Sequence, residues 1–564
     1  MPGSQMPRTG SRFAARLAAL ALACGMGLSG PIAAQAADTP AEKPQPGRPD
    51  LAAIAQKYFP SDTEGPSPKR IFRLTRDQID ATVAFVLPTY FTKSVKEVMA
   101  RDPLQTNYEF AELLSFNSAN LGPLSGWIRD IAARVRAKPD GVVNCSAAKN
   151  SEDCLKGEAR KFILKAVRGD LYGGRVDEMA AKYAESVASL GHAQATSNLV
   201  ERVLMSPHFL FRKEQVDGTR RGRSTPGQDL EALTYIIADV PPEKLRFDPA
   251  NALAYVIYAD DAARTVQEIM ASKEAREKLV HFFKAWLEIA EPSEFTISAQ
   301  TFPAFDAKLA AAMVGDTERF LRHQLAKPAP KLKDITQSTE GFVSKPIEPY
   351  YGAKSADPAG TKAVKLDPAQ RFGVFSQPAL IASHSGPSET RLVKRGVFWV
   401  RKAMCMEMEP PPQGLDLTLY EATGATERQK LDEGTQGKAC IGCHKIINPF
   451  AFFQENYDAL GKWRTTDNGA PIDAGINIDF LDEPPVKTKT AVEALKVLTS
   501  SAMFKQCFVR QLFRFYMGRN EEPSDDPLLR RMFLQFAQND EQDILKMVGI
   551  LADRIRRGPK GGAE

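Results

Sequence analysis

Cys440-Ile441-Gly442-Cys443-His444-Lys445-Ile446-Ile447-Asn448-Pro449 is the stretch on which the reading of this 564-residue chain turns. On a helical turn, two thiols three positions apart can form thioether bonds to the two vinyl groups of one porphyrin, and the next residue is then placed to bind the iron. Cys440, Cys443 and His444 therefore predict one covalently attached haem c with His444 as the proximal iron ligand. Two rivals fit less well. A disulfide-exchange pair wants a thioredoxin-like strand before it, whereas Gly434 to Lys438 read as a loop. A structural zinc wants two further ligands, and neither a second CxxC nor a paired histidine lies nearby.

The opposite face of the iron is less constrained. His384, in Ala382-Ser383-His384-Ser385-Gly386-Pro387, has a turn-like setting from which an imidazole reaches a distal position; the competing reading is an exposed or hydrogen-bonded loop histidine. Met503 and Met517 are thioether candidates that also fit helical core positions, and an open iron position is the third alternative. Trp463 and Arg464 follow the motif at a distance suited to haem propionates, against the plainer reading of a packed indole and a surface arginine.

The first 36 residues read as a secretory signal peptide. Arg8, Arg12 and Arg16 make a basic start, Leu17 to Cys24 an apolar stretch, and Ala34-Gln35-Ala36 a small-residue cleavage site. Cys24 lies in the apolar stretch without a well-formed lipoprotein box around it. Loss of the three arginines takes the formal charge from +5 to +2, too near neutral for an electrostatic nucleic-acid binder. No later run approaches the roughly 18 apolar residues of a spanning helix, so the mature chain is expected to have no transmembrane segment and to be periplasmic or at the cell surface.

Export makes cysteine pairing the default. Cys145 and Cys154 flank a short polar stretch and are expected to bridge it. Setting aside Cys440 and Cys443 leaves Cys405 and Cys507, which bracket the haem segment; a clamp between them and two buried free thiols are both open.

At 564 residues the chain exceeds the roughly 250 to 300 at which one core stops growing, while 43% hydrophobic and 25% charged residues are ordinary for a globular protein. A Pro- and Ala-rich leader spans 37–68. Helical order is expected from Thr75, a plausible N-cap with Gln78 three residues on, and helical spacing recurs at Phe162 to Val167, Leu199 to Leu204, Phe282 to Trp286, and Phe508, Leu512 and Phe515. The expected class is mainly α: N-terminal helical domains over 69–195, a large helical domain over 196–345, a cytochrome c-like haem domain over 346–495, and a C-terminal helical domain over 496–564. Pro410-Pro411-Pro412 marks a stiff lead-in to the haem segment.

The haem segment, continued by Phe452, Glu455-Asn456-Tyr457-Asp458-Ala459, Gly461 and Trp463-Arg464, resembles an exported bacterial cytochrome-like family found in planctomycetes and myxobacteria. That family is assembled from domains of unknown function, DUF1587, DUF1595, DUF1592, DUF1588 and DUF1585. The resemblance extends to Arg73-Leu74-Thr75-Arg76, Phe162 to Tyr183, Ser206-Pro207-His208-Phe209-Leu210-Phe211-Arg212, Lys394-Arg395-Gly396 and Phe504 to Arg519, in the same order. Three positions depart from it: Gly434 stands where many relatives have a histidine, so it supplies no ligand; Asn448 replaces the usual aspartate, and Ala451 the usual glycine. The resemblance implies a c-type haem more firmly than it implies a reaction.

Three functional classes follow. A periplasmic electron-transfer protein would use one closed haem and a redox partner protein. A haem oxidoreductase or peroxidase would use an open iron and a small-molecule substrate. A surface assembly or polymer-handling module would need no redox chemistry. The sequence carries no nucleophile triad, phosphate loop or metal-protease motif, and the electron-transfer class fits best.

Overall fold

The computed structural model describes residues 50–65, 70–145, 151–169, 173–214, 226–249, 253–256, 259–409, 426–479, 482–538 and 542–557. The expected signal peptide, much of the leader and Pro410-Pro411-Pro412 lie outside these residues. Among the described residues the chain is mainly helical, with twenty-two α-helices and four separate two-stranded antiparallel ribbons. No described helix is long and apolar enough to cross a membrane.

The first helix of the N-terminal core, Arg76–Val86, starts as its sequence dictates. Thr75 Oγ1 accepts from the Gln78 amide, and Gln78 Oε1 accepts from the Thr75 amide, both at 3.2 Å. This closed capping box aims Ile79, Val83 and Val86 inward, where they meet Ser118–Ala137, Glu152–Ala166, Gly173–Leu190 and His192–Leu204. Cys145 is bonded to Cys154 at the edge of this core.

Two segments distant in sequence meet here. Arg70–Arg73 pairs antiparallel with Phe211–Glu214, Phe72 lying opposite Arg212. The ribbon joins the start of the first core to the chain that leaves it. Arg168, fully buried, reinforces that exit: its Nε donates to Glu231 at 2.5 Å, and its Nη atoms donate to the carbonyls of His208 and Phe209 at 3.0 Å and of Phe211 at 3.1 Å. A charge so enclosed is tolerable only because partners surround it.

A second core runs from Ile54 to Ala552. Its centre is an aromatic cluster in which Trp286 and Phe282, one turn apart on Lys273–Trp286, meet Phe508 and Phe515 of Ala502–Met517. Trp286 has no exposed surface, and its Nε1 donates to the Lys402 carbonyl at 2.7 Å. Phe398, Trp399, Phe450 and Phe453 belong to the same core, so the CxxCH region and the C-terminal helices share one hydrophobic interior with the helices over 226–351.

Helix Pro226–Ala238 separates the cores and is buried along every side from Leu230 to Ala238, as a helix inside a large protein should be. Tyr235 faces the first core and its hydroxyl lies 2.6 Å from Thr82 Oγ1; Leu233 and Ile236 face the second. At one end, Asp239 accepts from Lys278 and from Gln78, each at 2.7 Å.

Glu109 borders this seam. Burial, followed by the charges of Asp102, Asp239 and Asp77, pushes its carboxyl up to about 8, so the folded protein holds it protonated at neutral pH. A carboxyl raised on folding favours the fold below its ordinary pKa of 4.5 and loses that contribution as pH rises through about 8. Glu109→Gln should remove the dependence: between about pH 5 and pH 8 wild type is expected to lose on the order of 1–3 kcal/mol relative to the variant, after allowance for partial exposure. Denaturation midpoints measure it, and parallel pH curves for the two proteins would count against it.

Candidate cofactor site

The motif occupies the first half of helix Lys438–Phe452. Cys440 and Cys443, at i and i+3, share a face near the N-terminus, are half-buried, and remain free thiols. The other four cysteines among the described residues form two pairs at disulfide distance, Cys145 with Cys154 and Cys405 with Cys507. Among the described residues no group of three or more His, Cys, Asp and Glu side chains converges as a metal cage.

The loop expected over Gly434 to Lys438 is shorter, because a helix precedes it. Thr426 and Gln429 close a capping box that starts Glu427–Gly434, leaving Thr435 to Gly437 as the link. This short helix ties the site together at both ends. At its start, Asp467 Oδ2 accepts the Glu427 amide at 2.8 Å and Glu455 Oε1 accepts the Arg428 amide at 3.2 Å, so two carboxylates satisfy first-turn donors. At its end, Thr435 Oγ1 donates to the Leu431 carbonyl at 2.7 Å and accepts from Asn448 Nδ2 at 2.9 Å. Asn448 Oδ1 lies 2.9 Å from His444 Nδ1. Pro449 follows Asn448 inside the helix and contributes no amide hydrogen, a usual cause of a local break in the helical ladder.

Leu392–Phe398 packs directly on the motif helix. A Cβ at Gly396 would lie 2.6 Å from the Ile447 carbonyl oxygen, so only glycine lets the two backbones approach this closely. Its neighbour Arg395 is 1% exposed and gathers the chain end that follows the motif. Nη1 donates to the carbonyls of Gln454 at 3.1 Å and Tyr457 at 2.8 Å; Nη2 donates to Asp458 O at 2.8 Å and Ser385 Oγ at 2.9 Å. Burial, then the nearby Arg464, pushes its guanidinium down to about 9, which leaves it charged at neutral pH. Beyond Arg395, the chain continues through a π-type turn, Trp399–Ala403, whose Trp399 Nε1 donates to Gln454 Oε1 at 3.1 Å.

Trp463 and Arg464 lie on this follow-on segment. Trp463 is partly buried, edge-on to Tyr457 at 5.3 Å. Arg464 Nε donates to the Glu455 carbonyl at 3.1 Å and Nη1 to Asp467 at 2.7 Å, while its buried Nη2 has no hydrogen-bond partner. Burial raises the pKa of Glu455, the neighbour whose Oε2 is likewise unpartnered.

His384 occupies other surroundings. It is 2% exposed, its ring lies 4.1 Å from that of Phe398, and its Nε2 is 2.9 Å from the Leu287 carbonyl, to which it donates. Burial pushes its pKa down to about 4, so the ring is neutral. Met517 is core, and Met503 lines a cavity of about 740 Å³ beside the Cys405–Cys507 bridge. Thr435 and Arg395 escaped the sequence reading as site residues. The i, i+4 spacing of His444 and Asn448 was a usable signal, but nothing local links Asn448 to Thr435 or Arg395 to residues 454–458.

The fold and site define a mainly helical protein whose single CxxCH helix is embedded in a core shared with its C-terminal helices. Three segments match family models, each described as a protein of unknown function: DUF1592 over residues 231–353, DUF1588 over 371–467 and DUF1585 over 488–548. The middle match contains the CxxCH helix and ends at Asp467, the partner of Arg464. No curated protein and no solved structure matches the chain.

Proposed function

We propose that the chain is an exported electron-transfer protein that carries one c-type haem on Cys440 and Cys443, with His444 as proximal ligand. One observation carries the reading: two thiols one turn apart stay free while the other described cysteines pair, and the adjacent histidine has Nδ1 engaged and Nε2 available. When bound, the haem supplies iron that alternates between ferric and ferrous states. Cys440 and Cys443 anchor it, His444 holds it from one side, and the unpartnered Nη2 of Arg464 is a donor suited to a propionate, while its neighbour in sequence, Trp463, packs edge-on to Tyr457. The two disulfides support export. A redox partner protein is the expected counterpart.

The alternative, a haem oxidoreductase or peroxidase with an open iron, gains from the surroundings of His384, the candidate distal ligand. Its Nε2 is taken by Leu287, so ligation would fall to Nδ1 on a ring lying close to Phe398. Spectra of the purified exported protein separate the readings. One covalent haem per chain is expected, retained on denaturation and abolished in Cys440→Ser/Cys443→Ser; a wild-type protein without a haem band would sink both readings. Reduced protein that resists carbon monoxide marks the carrier, whereas rapid binding marks the enzyme. If His384 is the distal ligand, His384→Ala should turn a resistant iron into a binding one, and an unchanged spectrum removes it.

A further inference from the structure

We propose that a one-way chain of hydrogen bonds from the Glu427–Gly434 helix holds His444 in the Nδ1–H tautomer, leaving the lone pair on Nε2. Asn448 is thereby a positioning residue for the proximal ligand, an inference that rests on the haem reading only in its consequence for iron.

The direction follows from counting protons. The Leu431 carbonyl can only accept, so Thr435 spends its single hydroxyl proton on it at 2.7 Å; the more distant Asp432 carbonyl, at 3.4 Å, is also an acceptor and imposes the same direction. Thr435 Oγ1 can then only accept from Asn448, at 2.9 Å, which turns the amide nitrogen toward Thr435 and Oδ1 toward His444. Oδ1 has no proton, so the 2.9 Å contact requires the hydrogen on Nδ1. Thr435 is 2% and Asn448 6% exposed, so water competes poorly for either group.

The identity of residue 448 matters for the strength of this bond. A carboxylate there would attract the Nδ1 proton by its own charge and would need no threonine to orient it. The neutral amide depends on the threonine, and it draws less on the imidazole, which leaves His444 a weaker electron donor to iron than a carboxylate-paired histidine.

Two measurements test the assignment. In the full exported chain bearing Cys440→Ser/Cys443→Ser, with both disulfides formed and histidine labelled with ¹⁵N, correlation spectra at about pH 8 should show His444 with a protonated Nδ1 and an unprotonated Nε2. Thr435→Val should produce a mixture of tautomers, and Thr435→Ser should restore the single form, which separates orientation from a general loss of folding. The reverse tautomer in the parent, or a Thr435→Val spectrum identical to it, overturns the proposal. In the haem-loaded protein, Asn448→Asp should favour the ferric form by at least tenfold in the redox equilibrium, about 59 mV for one electron; an unchanged potential overturns the electronic consequence. If wild type carries no haem, the haem reading fails and the tautomer experiment still decides the relay.

Discussion

Arg395→Met is expected to cost the folded protein about 3–5 kcal/mol, because a fully enclosed guanidinium there satisfies three backbone carbonyls and a serine hydroxyl at once. Methionine fills much of the volume but donates nothing, so the carbonyls of Gln454, Tyr457 and Asp458 lose their shared donor in a site with little water. Each orphaned group costs about 1–3 kcal/mol, offset in part because the desolvated charge is gone. Arg395→Lys should recover only part of the loss, since one ammonium cannot reproduce the planar fork. The damage should centre on the chain that follows the CxxCH helix, and haem loading should fall with it. Denaturant titration of the oxidised protein measures the effect; a methionine variant within about 1 kcal/mol of wild type would refute this account of the segment.

Removing the Cys405–Cys507 bridge by a double alanine substitution should be comparably severe. The bridge spans 102 residues of chain that contain the whole CxxCH region, and the chain-entropy estimate for such a loop is about 4–5 kcal/mol. The Cys145–Cys154 bridge spans 9 and is expected to contribute roughly 2–3 kcal/mol. The longer bridge also has structural company: Trp286 donates to Lys402 O, and Gln506 Nε2 donates to Met404 O at 3.1 Å, so the same stretch is pinned to Lys273–Trp286 by the first hydrogen bond and to Ala502–Met517 by the second. Comparing the two double variants by denaturation is the test. A long-loop variant no less stable than the short-loop one would mean that native hydrogen bonds, and not restriction of the unfolded chain, set the contribution of the bridge.

Local patterns were the readable part of the fold. Thr75 with Gln78 predicted a capping box, and apolar spacing around Phe162, Leu199, Phe282 and Phe508 predicted helices that the structure contains, because each signal needs only a few consecutive residues. Helix Glu427–Gly434 carries no comparable signal: it has no buried residue of its own, so no apolar stripe announces it. Its ends are held by Asp467, Glu455 and Asn448, partners 13 to 40 residues away.

The sequence alone determined the class of structure, mainly helical, and placed two thiols and a histidine on one turn, because covalent order and helical period suffice for both. It also led to an expected Cys145–Cys154 bridge across a short polar stretch and left Cys405 and Cys507 open between a clamp and two buried thiols. Tertiary structure decided what surrounds that turn. Gly396 admits a second backbone against Ile447, Arg395 collects carbonyls from a segment about 60 residues on, and Thr435 orients Asn448 toward His444. These contacts arise only when one core buries chain from both ends of the protein, and hydrogen-bond direction inside that core is settled by which neighbours have protons to give.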